Sequence, residues 1–554
     1  MSFLHDILTS LDKAGDTPVM EELRDGNTIS VTGRELLEMI HHARAFLAAK
    51  NISKGERCAL LAHNSIRWVA MDLAIMSEGL IVVPLYARQA PSELVGMMKD
   101  CSPALMCCGG ATLRDGIVQS WAEAPSQYLF EEVFGGDRSK DAAARAETPV
   151  PHHNSEAVTI IYTSGTSGDA KGVTLNAENI GYMLSCTSAQ LDSLMQSTTR
   201  QDRVFHYLPF SFGASRIALF TYLLRGSLVV LNTDLTKLAT EIPSVAADYF
   251  LNVPALLERM RKAVETQLTE KGGIARHLYN RGKAAWSRKQ AGKPRVYDWL
   301  WLACANAIVF PAIRKKMVGR NLKALISGSA PLAVETQFYF RMLGIPVLQV
   351  YGLTETTGIC TMDDPSEVVP GRVGPAISGI EMKLAEHDEI IVRGPNIFPG
   401  YWNRPLETAK VLRDGWFHTG DQGEVDARGN WRVIGRIKNL IILSSGHKFP
   451  PEPLEEELLQ NIPGAQHVVL VGNGRGYLSA IVTGNVSREG VQSAMDSTNL
   501  NLPHYKQIRA FHISIEPLSI ENSLLTANGK LKRDLIAERF KGPIEEMYLA
   551  KQAS

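Results

Sequence analysis

The sequence predicts an α/β protein: a large N-terminal domain of α/β subdomains with a small β subdomain, followed by a small α+β C-terminal domain. Three observations predict it. Short apolar strands alternate with helical segments up to about Gly358, which is typical of largely parallel sheets. The pattern then changes to short strands separated by turns, and finally to a compact mixture of helices and strands. The length of 554 residues also exceeds a single hydrophobic core.

The strand–helix alternation is clearest at three places. RCALLAH (57–63) precedes the helical SIRWVAMDLAIMSEG, and SLVVLN (227–232) precedes a helix that ends near Ala246. LKALISGSAPL (322–332) precedes VETQFYFRMLG, after which PVLQVYG (346–352) forms the next strand. Ligands of such folds bind at the carboxyl ends of the parallel strands. The segments SGSAPL and YGLTETTG are therefore predicted to be binding loops.

The later elements indicate two smaller units. HDEIIVRG and NWRVIG are short strands of a small β subdomain. PEPLEEELLQNI is a predicted helix, HVVLVGN and YLSAIVTG are predicted strands, and LKRDLIAERF is a predicted helix near the end. The best boundary lies at GRIKNL, which divides the chain into a large N-terminal domain, 1–437, and a small C-terminal domain, 438–554.

Composition excludes some classes of protein. Lys+Arg and Asp+Glu balance at 58 each, so nothing in the overall charge suggests a nucleic-acid partner. Seven cysteines without a C-x-x-C pattern argue against a disulfide framework or a zinc site and indicate a reducing compartment. The N-terminus has early acidic residues and no long apolar run, so it does not resemble a signal peptide. We expect a cytoplasmic location.

The longest apolar run, WLWLACANAIVF (299–310), is too short to span a bilayer. Basic residues flank it on both sides: Arg288, Lys289, Lys293 and Arg295 before it, and Arg314, Lys315, Lys316 and Arg320 after it. Two interpretations are open. The run is either a buried helix with solvated basic flanks or a site of peripheral contact with an anionic membrane.

The segment YTSGTSGDAKG (162–172) has the composition of a phosphate-binding loop. Glycines allow backbone N–H groups to approach a phosphate, hydroxyls donate, and Lys171 adds a positive charge. It is not a P-loop, because Ala170 precedes the lysine, Gly172 follows it, and strands flank the loop on both sides. The candidate phosphate contacts are Thr163, Ser164, Gly165, Thr166, Ser167, Gly168 and Lys171. Taken alone, the segment is equally compatible with a Ser/Gly surface loop.

Eight motifs in order identify a family resemblance. They are YTSGTSGDAKG, HYLPFSFGASR (206–216), SGSAPL, YGLTETTG, GRVG (371–374), WFHTGD (416–421), GRIKNLIILSSGHKFPPEPLEEEL (435–458) and NGKLKRD (528–534). Together they closely resemble the adenylate-forming acyl-CoA synthetase family, the AMP-dependent synthetases and ligases, from about Gly33 to Arg533. The resemblance implies an enzyme that uses ATP, Mg²⁺ and coenzyme A, with a mobile C-terminal domain.

The resemblance also implies roles for the N-terminal motifs. The glycine-rich loop clamps the β- and γ-phosphates of ATP, and Lys171 neutralises charge on the leaving pyrophosphate. In YGLTETTG, Glu355 is the expected magnesium ligand, Thr354 donates to the α-phosphate, and Tyr351, beside Gly352, stacks on adenine. In SGSAPL, Gly328, Ser329 and Ala330 leave room for a flat base and for the acyl chain.

The motifs nearer the C-terminus carry the remaining implied roles. Asp421 accepts the ribose hydroxyls, and Arg436 contacts the ribose or the phosphate. Lys530 bridges the carboxylate and the α-phosphate. Lys438 is the implied hinge. In SSGHKF, Gly446 admits the pantetheine arm of CoA, and Lys448 meets a CoA phosphate.

The implied reaction has two halves, formation of an acyl-adenylate and then of a thioester. HYLPFSFGASR resembles the long-chain fatty-acid branch, and it keeps Arg216. It departs from that branch at Phe212, in place of a histidine, and at Ser215, in place of a glutamate. A long apolar acid is therefore the first expectation and a medium-chain or aryl acid the second. Transfer to a carrier protein is less expected because the segment 371–420 is compact, and a nucleotide-binding pseudoenzyme is disfavoured because the charged motif residues are present.

Overall fold

The structure is a computed structural model that describes residues 2–135, 149–164, 170–196, 200–526 and 529–549. It confirms the predicted class, a mixed α/β fold with a large N-terminal and a small C-terminal domain. The described strands of the N-terminal domain are β1 (Pro18–Arg24), β2 (Asn27–Thr32), β3 (Arg57–Leu61), β4 (Ile81–Leu85), β5 (Leu105–Cys108), β6 (Ser126–Leu129), β7 (Ala157–Ser164), β8 (Ala170–Asn176), β9 (Arg203–His206), β10 (Leu228–Asn232), β11 (Tyr249–Asn252), β12 (Ala324–Ser327), β13 (Val347–Tyr351), β14 (Thr361–Met362), β15 (Glu381–Leu384), β16 (Glu389–Arg393), β17 (Gly400–Tyr401), β18 (Leu412–Arg413), β19 (Trp416–Val425) and β20 (Trp431–Arg436).

Two mainly parallel sheets form the core of this domain. The first has eight strands in the order β14-β13-β12-β11-β9-β10-β1-β2, and the second has seven in the order β17-β8-β7-β4-β3-β5-β6. Strands β9 to β13 pair in parallel, so the loops after β12 and β13 emerge at the same edge, as predicted. A third, antiparallel sheet contains β15, β16, β19 and β18, with β20 paired to β19, and corresponds to the predicted β subdomain.

Helices pack on the faces of these sheets. Those described in the N-terminal domain are α1 (Phe3–Ala14), α2 (Gly33–Ala48), α3 (Ile66–Ser77), α4 (Pro91–Cys101), α5 (Ala111–Ser120), α6 (Phe130–Phe134), α7 (Ala177–Met195), α8 (Gly213–Leu224), α9 (Leu238–Val245), α10 (Pro254–Lys271), α11 (Gly273–Gln290), α12 (Asp298–Cys304), α13 (Phe310–Val318), α14 (Val334–Met342) and α15 (Pro405–Val411).

The C-terminal domain is a small α+β unit. Its elements are β21 (Ile441–Ile442), β22 (Lys448–Phe449), α16 (Glu452–Asn461), β23 (Ala465–Val471), β24 (Leu478–Gly484), α17 (Arg488–Asn499), β25 (Ile508–Ser514), α18 (Arg533–Arg539) and α19 (Lys541–Leu549). Strands β23, β24 and β25 form a three-stranded sheet whose apolar side chains pack with those of α16 and α17 into a separate core.

A buried ion pair fixes helix α8, which borders the site described below. Arg216 on α8 donates two hydrogen bonds to Asp72 on α3, and it also donates to the hydroxyl of Thr159 on β7. Burial raises the pKa of Asp72, and the Arg216 charge opposes that rise. Removing one partner of such a pair leaves an unpaired buried charge, which costs several kcal/mol. Arg216 of the motif HYLPFSFGASR is thus a buried residue that ties α8 to the sheet.

The apolar run 299–310 adopts helix α12 and a π-helical turn, Ala305–Val309, that leads into α13. It is neither fully buried nor fully solvated, since Ala305, Val309 and Phe310 are buried while Trp299 and Ile308 are exposed. Among the described residues, no helix is both long and apolar enough to cross a bilayer.

Candidate active site

A cavity of about 2230 Å³ lies between the two domains, at the edge where β12 and β13 end. Its walls come from strand ends of the N-terminal domain, from β19 and β20, and from the C-terminal domain. The predicted site residues that line it are Thr163, Lys171, Gly328, Ser329, Ala330, Tyr351, Gly352, Thr354, Glu355, Asp421, Arg436, Lys438 and Lys530. Segments separated by several hundred residues in sequence therefore meet at one site.

The loops after β12 and β13 bring backbone close to the cavity. A Cβ atom at Gly352 would lie 2.2 Å from the carbonyl oxygen of Gly358, and one at Gly328 would lie 2.7 Å from a methyl of Val350. Neither position has room for a side chain. Ser329 adopts a φ of 75°, a left-handed conformation that is uncommon outside glycine. Glycines at these positions therefore let two loops of backbone pack tightly at the floor of the cavity.

Asp421 is held by an arginine and a tyrosine. The antiparallel register of β19 and β20 places Asp421 opposite Arg436, whose Nε lies 2.7 Å from Oδ1 of the carboxylate. The hydroxyl of Tyr351 donates to Oδ2 at 2.7 Å. Burial and the nearby carboxylate raise the pKa of Tyr351 well above its usual range, so the hydroxyl remains a donor. Each carboxylate oxygen has a second lone pair, so Asp421 is still able to accept ligand hydroxyls.

Arg436 stays charged in this setting. Burial alone would lower the pKa of Arg436, but Asp421 and other nearby anionic groups raise it overall. Its guanidinium also donates to the backbone carbonyl of Thr419 at 3.2 Å. The site therefore keeps one fixed positive charge beside Asp421.

Glu355 lies in the turn after β13 and accepts a hydrogen bond of 2.9 Å from the hydroxyl of Tyr401. Burial and the charge of Glu355 raise the pKa of Tyr401, which keeps this tyrosine protonated. Among the described residues, no other side chain hydrogen-bonds the Glu355 carboxylate, so one oxygen is available to a cation. The described part of the chain contains no group of three or more His, Cys, Asp or Glu side chains suited to a metal.

Lys171 is paired with an acidic residue that sequence analysis did not identify. Its Nζ lies 2.8 Å from Oε2 of Glu407 and 5.2 Å from the centre of the Tyr401 ring. Lys410 contacts the other oxygen of Glu407 at 2.6 Å. Lys171 first, and Lys410 second, lower the pKa of Glu407 to about 2, so the carboxylate is ionised.

Lys530 reaches the cavity from a tight turn of the C-terminal domain. Thr526 holds the turn: its backbone N–H donates to the carbonyl of Lys530 at 2.8 Å, and its hydroxyl accepts from the Lys530 N–H at 3.0 Å. Gly529 supplies a φ of 74° within the turn. The surrounding protein and the nearby Arg436 lower the pKa of Lys530, although Asp421 and Glu355 oppose that shift. One lysine of the small domain thus lies within electrostatic range of three predicted site residues of the large domain.

Lys438 lies in a short turn, Ile437–Asn439, at the predicted boundary between the two domains. Burial and the nearby Arg436 lower the pKa of Lys438. The next residue, Asn439, donates to Glu452 at 2.6 Å. Arg533 donates to both oxygens of Glu455, at 2.7 and 2.6 Å. The turn that contains Lys438 is therefore held to helix α16 through Asn439, and α16 is held in turn to Arg533 at the start of α18.

Two predicted residues do not reach the cavity, and four others lie outside the described residues. Gly446 and Lys448 lie in the hairpin between β21 and β22, where Gly446 is exposed with a φ of 81°, and neither lines the cavity. Ser164 is described only as the last residue of β7. Gly165, Thr166, Ser167 and Gly168 lie outside the described residues.

Helices α7 and α8 form part of the cavity wall. Leu191, Phe212, Ile217, Ala218 and Tyr222 contribute apolar groups there, beside the polar Thr187, Gln190, Ser215 and Thr221. Phe212 packs against the ring of Tyr86, with centroids 5.3 Å apart. The apolar side chains of this part of the wall suit an apolar group, and Phe212 is the bulky one among those from 212 to 218.

Sequence reasoning missed Tyr401 and Glu407. Tyr401 follows Gly400, which adopts a φ of 150° and would place a Cβ 2.7 Å from Thr408. The segment FPGYW around it, in which a glycine precedes two aromatic residues, was the available signal. Glu407 belongs to a short exposed helix, α15, and has no comparable signal in the sequence.

Two family models match the chain and together span nearly all of it. The one described as "AMP-binding enzyme" matches residues 9–402, and "AMP-binding enzyme C-terminal domain" matches residues 438–552. These matches confirm the resemblance inferred from the eight motifs.

Three curated relatives extend this comparison. A long-chain-fatty-acid–CoA ligase, FadD15 of Mycobacterium tuberculosis, is 24% identical over 96% of this chain and 94% of its own length. Long chain acyl-CoA synthetase 3 of Arabidopsis thaliana is 25% identical over 97% of this chain and 90% of its own. The chloroplastic long-chain-fatty-acid–[acyl-carrier-protein] ligase AEE15 of the same plant is 23% identical over 98% and 86%.

Solved structures show the same fold. ATP-bound MatB from Rhodopseudomonas palustris aligns with a TM-score of 0.73 at 23% identity, covering 98% of this chain and 99% of that one. The o-succinylbenzoate CoA synthetase MenE from Bacillus subtilis, in complex with its acyl-adenylate, aligns with a TM-score of 0.73 at 21% identity, covering 96% and 97%.

Proposed function

The chain belongs to the AMP-binding enzyme family, and from this premise we propose that it activates a carboxylic acid with ATP and transfers the acyl group to coenzyme A. AMP and pyrophosphate are the other products. One observation carries the proposal: Lys171, Glu355 and Asp421 of the large domain and Lys530 of the small domain line one cavity. In that set, the two lysines provide cations for the phosphates of a nucleoside triphosphate and for the carboxylate of an acid. The two carboxylates provide acceptors for a metal ion and for ribose hydroxyls.

In the first half-reaction, a carboxylate oxygen of the acid attacks the α-phosphorus of ATP. The bond from this phosphorus to the bridging oxygen breaks, and pyrophosphate leaves. The carboxylate is already ionised and needs no general base, so positioning and charge stabilisation carry the rate. Lys530 stabilises charge on the pentavalent phosphorus, with Thr354 as a hydroxyl donor to the α-phosphate.

The remaining contacts hold the nucleotide. Asp421, fixed by Arg436 and Tyr351, accepts the ribose hydroxyls. The flat base lies between the backbone of Gly328 to Ala330 and Tyr351. Lys171 leaves Glu407 and pairs with the β- and γ-phosphates. The hydrogen bonds of Asp421 and Lys171 to the nucleotide each include a charged group, and such bonds are stronger than those between neutral groups.

Magnesium fits the donor set at Glu355. The carboxylate has one oxygen bound by Tyr401 and one without a protein donor among the described residues, and a hard cation prefers such oxygens. A bound magnesium ion would supply charge neutralisation at the phosphate oxygens. A single carboxylate agrees with the small number of protein ligands that magnesium usually takes.

In the second half-reaction, the thiol of CoA attacks the acyl carbonyl of the adenylate. The thiol proton leaves to solvent, the thioester bond forms, and AMP departs. We propose that the small domain rotates about Lys438 for this step. The rotation withdraws Lys530 and brings up the hairpin that carries Gly446 and Lys448, which now lies away from the cavity. The exposed Gly446, with no side chain, admits a thin pantetheine arm.

The proposed acid is a long-chain fatty acid. The apolar side chains that α7 and α8 contribute to the cavity wall support this proposal, since each methylene buried against them contributes about 0.8 kcal/mol. The three relatives named above are all described as acting on long-chain acids, which agrees with it. Phe212 favours a second candidate, a medium-chain or aryl acid, because its ring occupies part of this wall and packs against the ring of Tyr86.

The proposed acceptor is free CoA, and a phosphopantetheinylated carrier protein is the alternative. The segment 371–420, which precedes the proposed hinge, is compact and lacks the extra insertion that is typical of ligases that load carrier proteins. This supports CoA as the acceptor. The relative AEE15, described as an acyl-carrier-protein ligase, is the reason to test both acceptors.

The test is a kcat/KM series for saturated acids from short to long, with CoA and separately with a phosphopantetheinylated carrier protein. We expect kcat/KM to rise with chain length up to a maximum in the long-chain range, and transfer to CoA to be faster. A maximum at short or aryl acids would overturn the substrate proposal. Faster transfer to the carrier protein would overturn the acceptor proposal.

A further inference from the structure

Residues 273–320, which include α11, α12 and α13, expose an unusual amount of apolar surface. They contain six of the sixteen large apolar side chains that are exposed among the described residues: Ile274, Val296, Tyr297, Trp299, Leu300 and Ile308. Val296 is 80% exposed and Trp299 is 69% exposed. Clustering of this kind marks an interaction site, whereas single exposed apolar residues do not.

The same segment is strongly basic. Residues 273–320 contain eleven lysines and arginines and one acidic residue, although the whole chain is neutral. The acidic residue, Asp298, is buried and accepts two hydrogen bonds from Arg288. No carboxylate of this segment therefore faces solvent, and its outer surface carries positive charge.

Several of these cations form no salt bridge in the described part of the chain. Among the described residues, none forms a salt bridge with the following five exposed side chains: Lys289, Lys293, Arg295, Lys315 and Arg320. By contrast, Lys283 is bound by Glu265 at 2.6 Å. The unpaired cations are thus available to an anionic partner.

The exposed apolar and basic groups are neighbours on the surface. Trp299 and Ala303 are four residues apart on α12, so they share one exposed face. The loop immediately before α12 contributes Val296 and Tyr297 beside Lys293 and Arg295, all of them exposed. An apolar helix face with an adjacent basic loop is the arrangement of a segment that lies in a membrane interface.

We propose that this basic-apolar surface, residues 273–320, docks the protein onto an anionic lipid bilayer. Val296, Tyr297, Trp299 and Leu300 enter the interfacial layer, where tryptophan and tyrosine are favoured. Lys289, Lys293 and Arg295 lie against the anionic headgroups. A nucleic acid would satisfy the charges but would leave the apolar face in water, so the bilayer is the partner that matches both features. The proposal does not depend on the identity of the acid or the acceptor.

The test measures partitioning of the full-length protein onto vesicles by co-sedimentation. Vesicles of phosphatidylcholine alone are compared with vesicles that also contain phosphatidylglycerol, at low and high sodium chloride. The first variant is the triple change Lys289→Glu/Lys293→Glu/Arg295→Glu. Its matched control, Lys13→Glu/Lys99→Glu/Lys541→Glu, makes the same change in net charge at exposed lysines elsewhere. Trp299→Ala is compared with Leu500→Ala, which removes a side chain that is 86% exposed outside the surface.

The wild type is expected to bind the phosphatidylglycerol vesicles and to be released by salt. Each cation at an anionic surface contributes about fivefold to binding, so the triple variant should bind at least about a hundredfold more weakly than its control. Trp299→Ala should weaken binding several-fold, and Leu500→Ala should not. Thermal unfolding midpoints close to that of the wild type verify that the variants are folded.

Three results would overturn the proposal. The first is equal binding of the wild type to the two kinds of vesicle. The second is an equal loss of binding in the triple variant and its control, which would show a general charge effect. The third is tighter binding to duplex DNA than to the anionic vesicles, abolished by the triple change, which would assign the surface to a nucleic acid.

Discussion

The ammonium of Lys171 lies 2.8 Å from a carboxylate oxygen of Glu407, a residue 236 positions further along the chain. The same ammonium lies near the ring of Tyr401, whose hydroxyl binds Glu355. Lys171 and Glu355, residues of the proposed phosphate and magnesium site, are therefore linked through Tyr401, which the motifs do not name. In this arrangement Glu407 competes with any phosphate for Lys171.

Replacing Glu407 by glutamine should release Lys171 and strengthen ATP binding. Ion pairs with this much solvent exposure are weak, so the KM for ATP should fall by no more than about fivefold while kcat changes little. Steady-state kinetics at saturating acid measure this effect. In a Lys171→Ala background the same change should have no effect on KM. A rise in KM for Glu407→Gln would instead mean that Glu407 orients Lys171 for the phosphate.

Glu355→Gln should weaken magnesium-dependent turnover and leave the fold intact, because it keeps the shape of the side chain and removes the anion. The measurement is a magnesium titration at saturating ATP, with an expected increase in the magnesium concentration that gives half-maximal rate. Glu386→Gln is the matched control, since Glu386 lines the same cavity and is exposed. An unchanged magnesium requirement and rate in Glu355→Gln would place the metal elsewhere.

Lys438→Pro should separate the two half-reactions. Proline fixes φ near −65° and should resist rotation of the C-terminal domain. Adenylation, measured by pyrophosphate exchange, should survive, while thioester formation from supplied acyl-adenylate should fall steeply. Lys438→Ala controls for loss of the side chain alone. Equal losses in both half-reactions would place the hinge at another residue.

Asp363 predicts a pH dependence of stability. Burial raises the pKa of Asp363 from 3.8 to about 7. The backbone N–H of Gln349 opposes this rise, but it is the one hydrogen-bond donor to the carboxylate among the described residues. Between these pH values the unfolded state ionises and the folded state retains the proton, so the wild type loses stability as the pH rises through this window. Asp363→Asn removes that loss. Its stability relative to the wild type should increase from pH 4 to pH 7 by up to about 4 kcal/mol, at about 1.4 kcal/mol per unit.

Thermal unfolding of Asp363→Asn and the wild type at a series of pH values makes this comparison. The neighbouring Asp364 is the control, because hydrogen bonds from Ser366 lower the pKa of Asp364. Asp364→Asn should therefore be less stable than the wild type at neutral pH, and that deficit should shrink as the pH falls below about 4. A constant difference between Asp363→Asn and the wild type across the range would show that Asp363 is ionised when folded.

Local patterns predicted most of the elements and the edge of the sheet at which the site lies. The strands PVLQVYG and LKALIS are short apolar runs with binding loops directly after them, and β13 and β12 occupy these positions. Such predictions succeed because apolar runs and strand order are local properties of the sequence. The domain boundary at 437/438 stays a prediction, as do the roles of the site residues.

Contacts between distant segments were not predictable in the same way. The pairing of Asp421 with Arg436 follows from the antiparallel register of β19 and β20, and Glu407 meets Lys171 only because α15 packs beside β17. The apolar run at 299–310 was assigned either to a buried helix or to a membrane contact. The structure shows a helix with buried and exposed faces. The sequence did not predict this arrangement, because the π-helical turn at Ala305–Val309 and the position of the basic loop before α12 depend on tertiary packing.

The central claim is that Lys530 of the small domain acts with the large-domain site to form the acyl-adenylate. Its most direct test is to measure the two half-reactions of Lys530→Ala separately, with Lys532→Ala as the neighbouring control. Loss of a group that stabilises transition-state charge costs about 10²–10³ in rate. We therefore expect adenylation, followed by acid-dependent pyrophosphate exchange, to fall by that factor while supplied acyl-adenylate is still converted to thioester. Near-normal adenylation by Lys530→Ala would contradict the account.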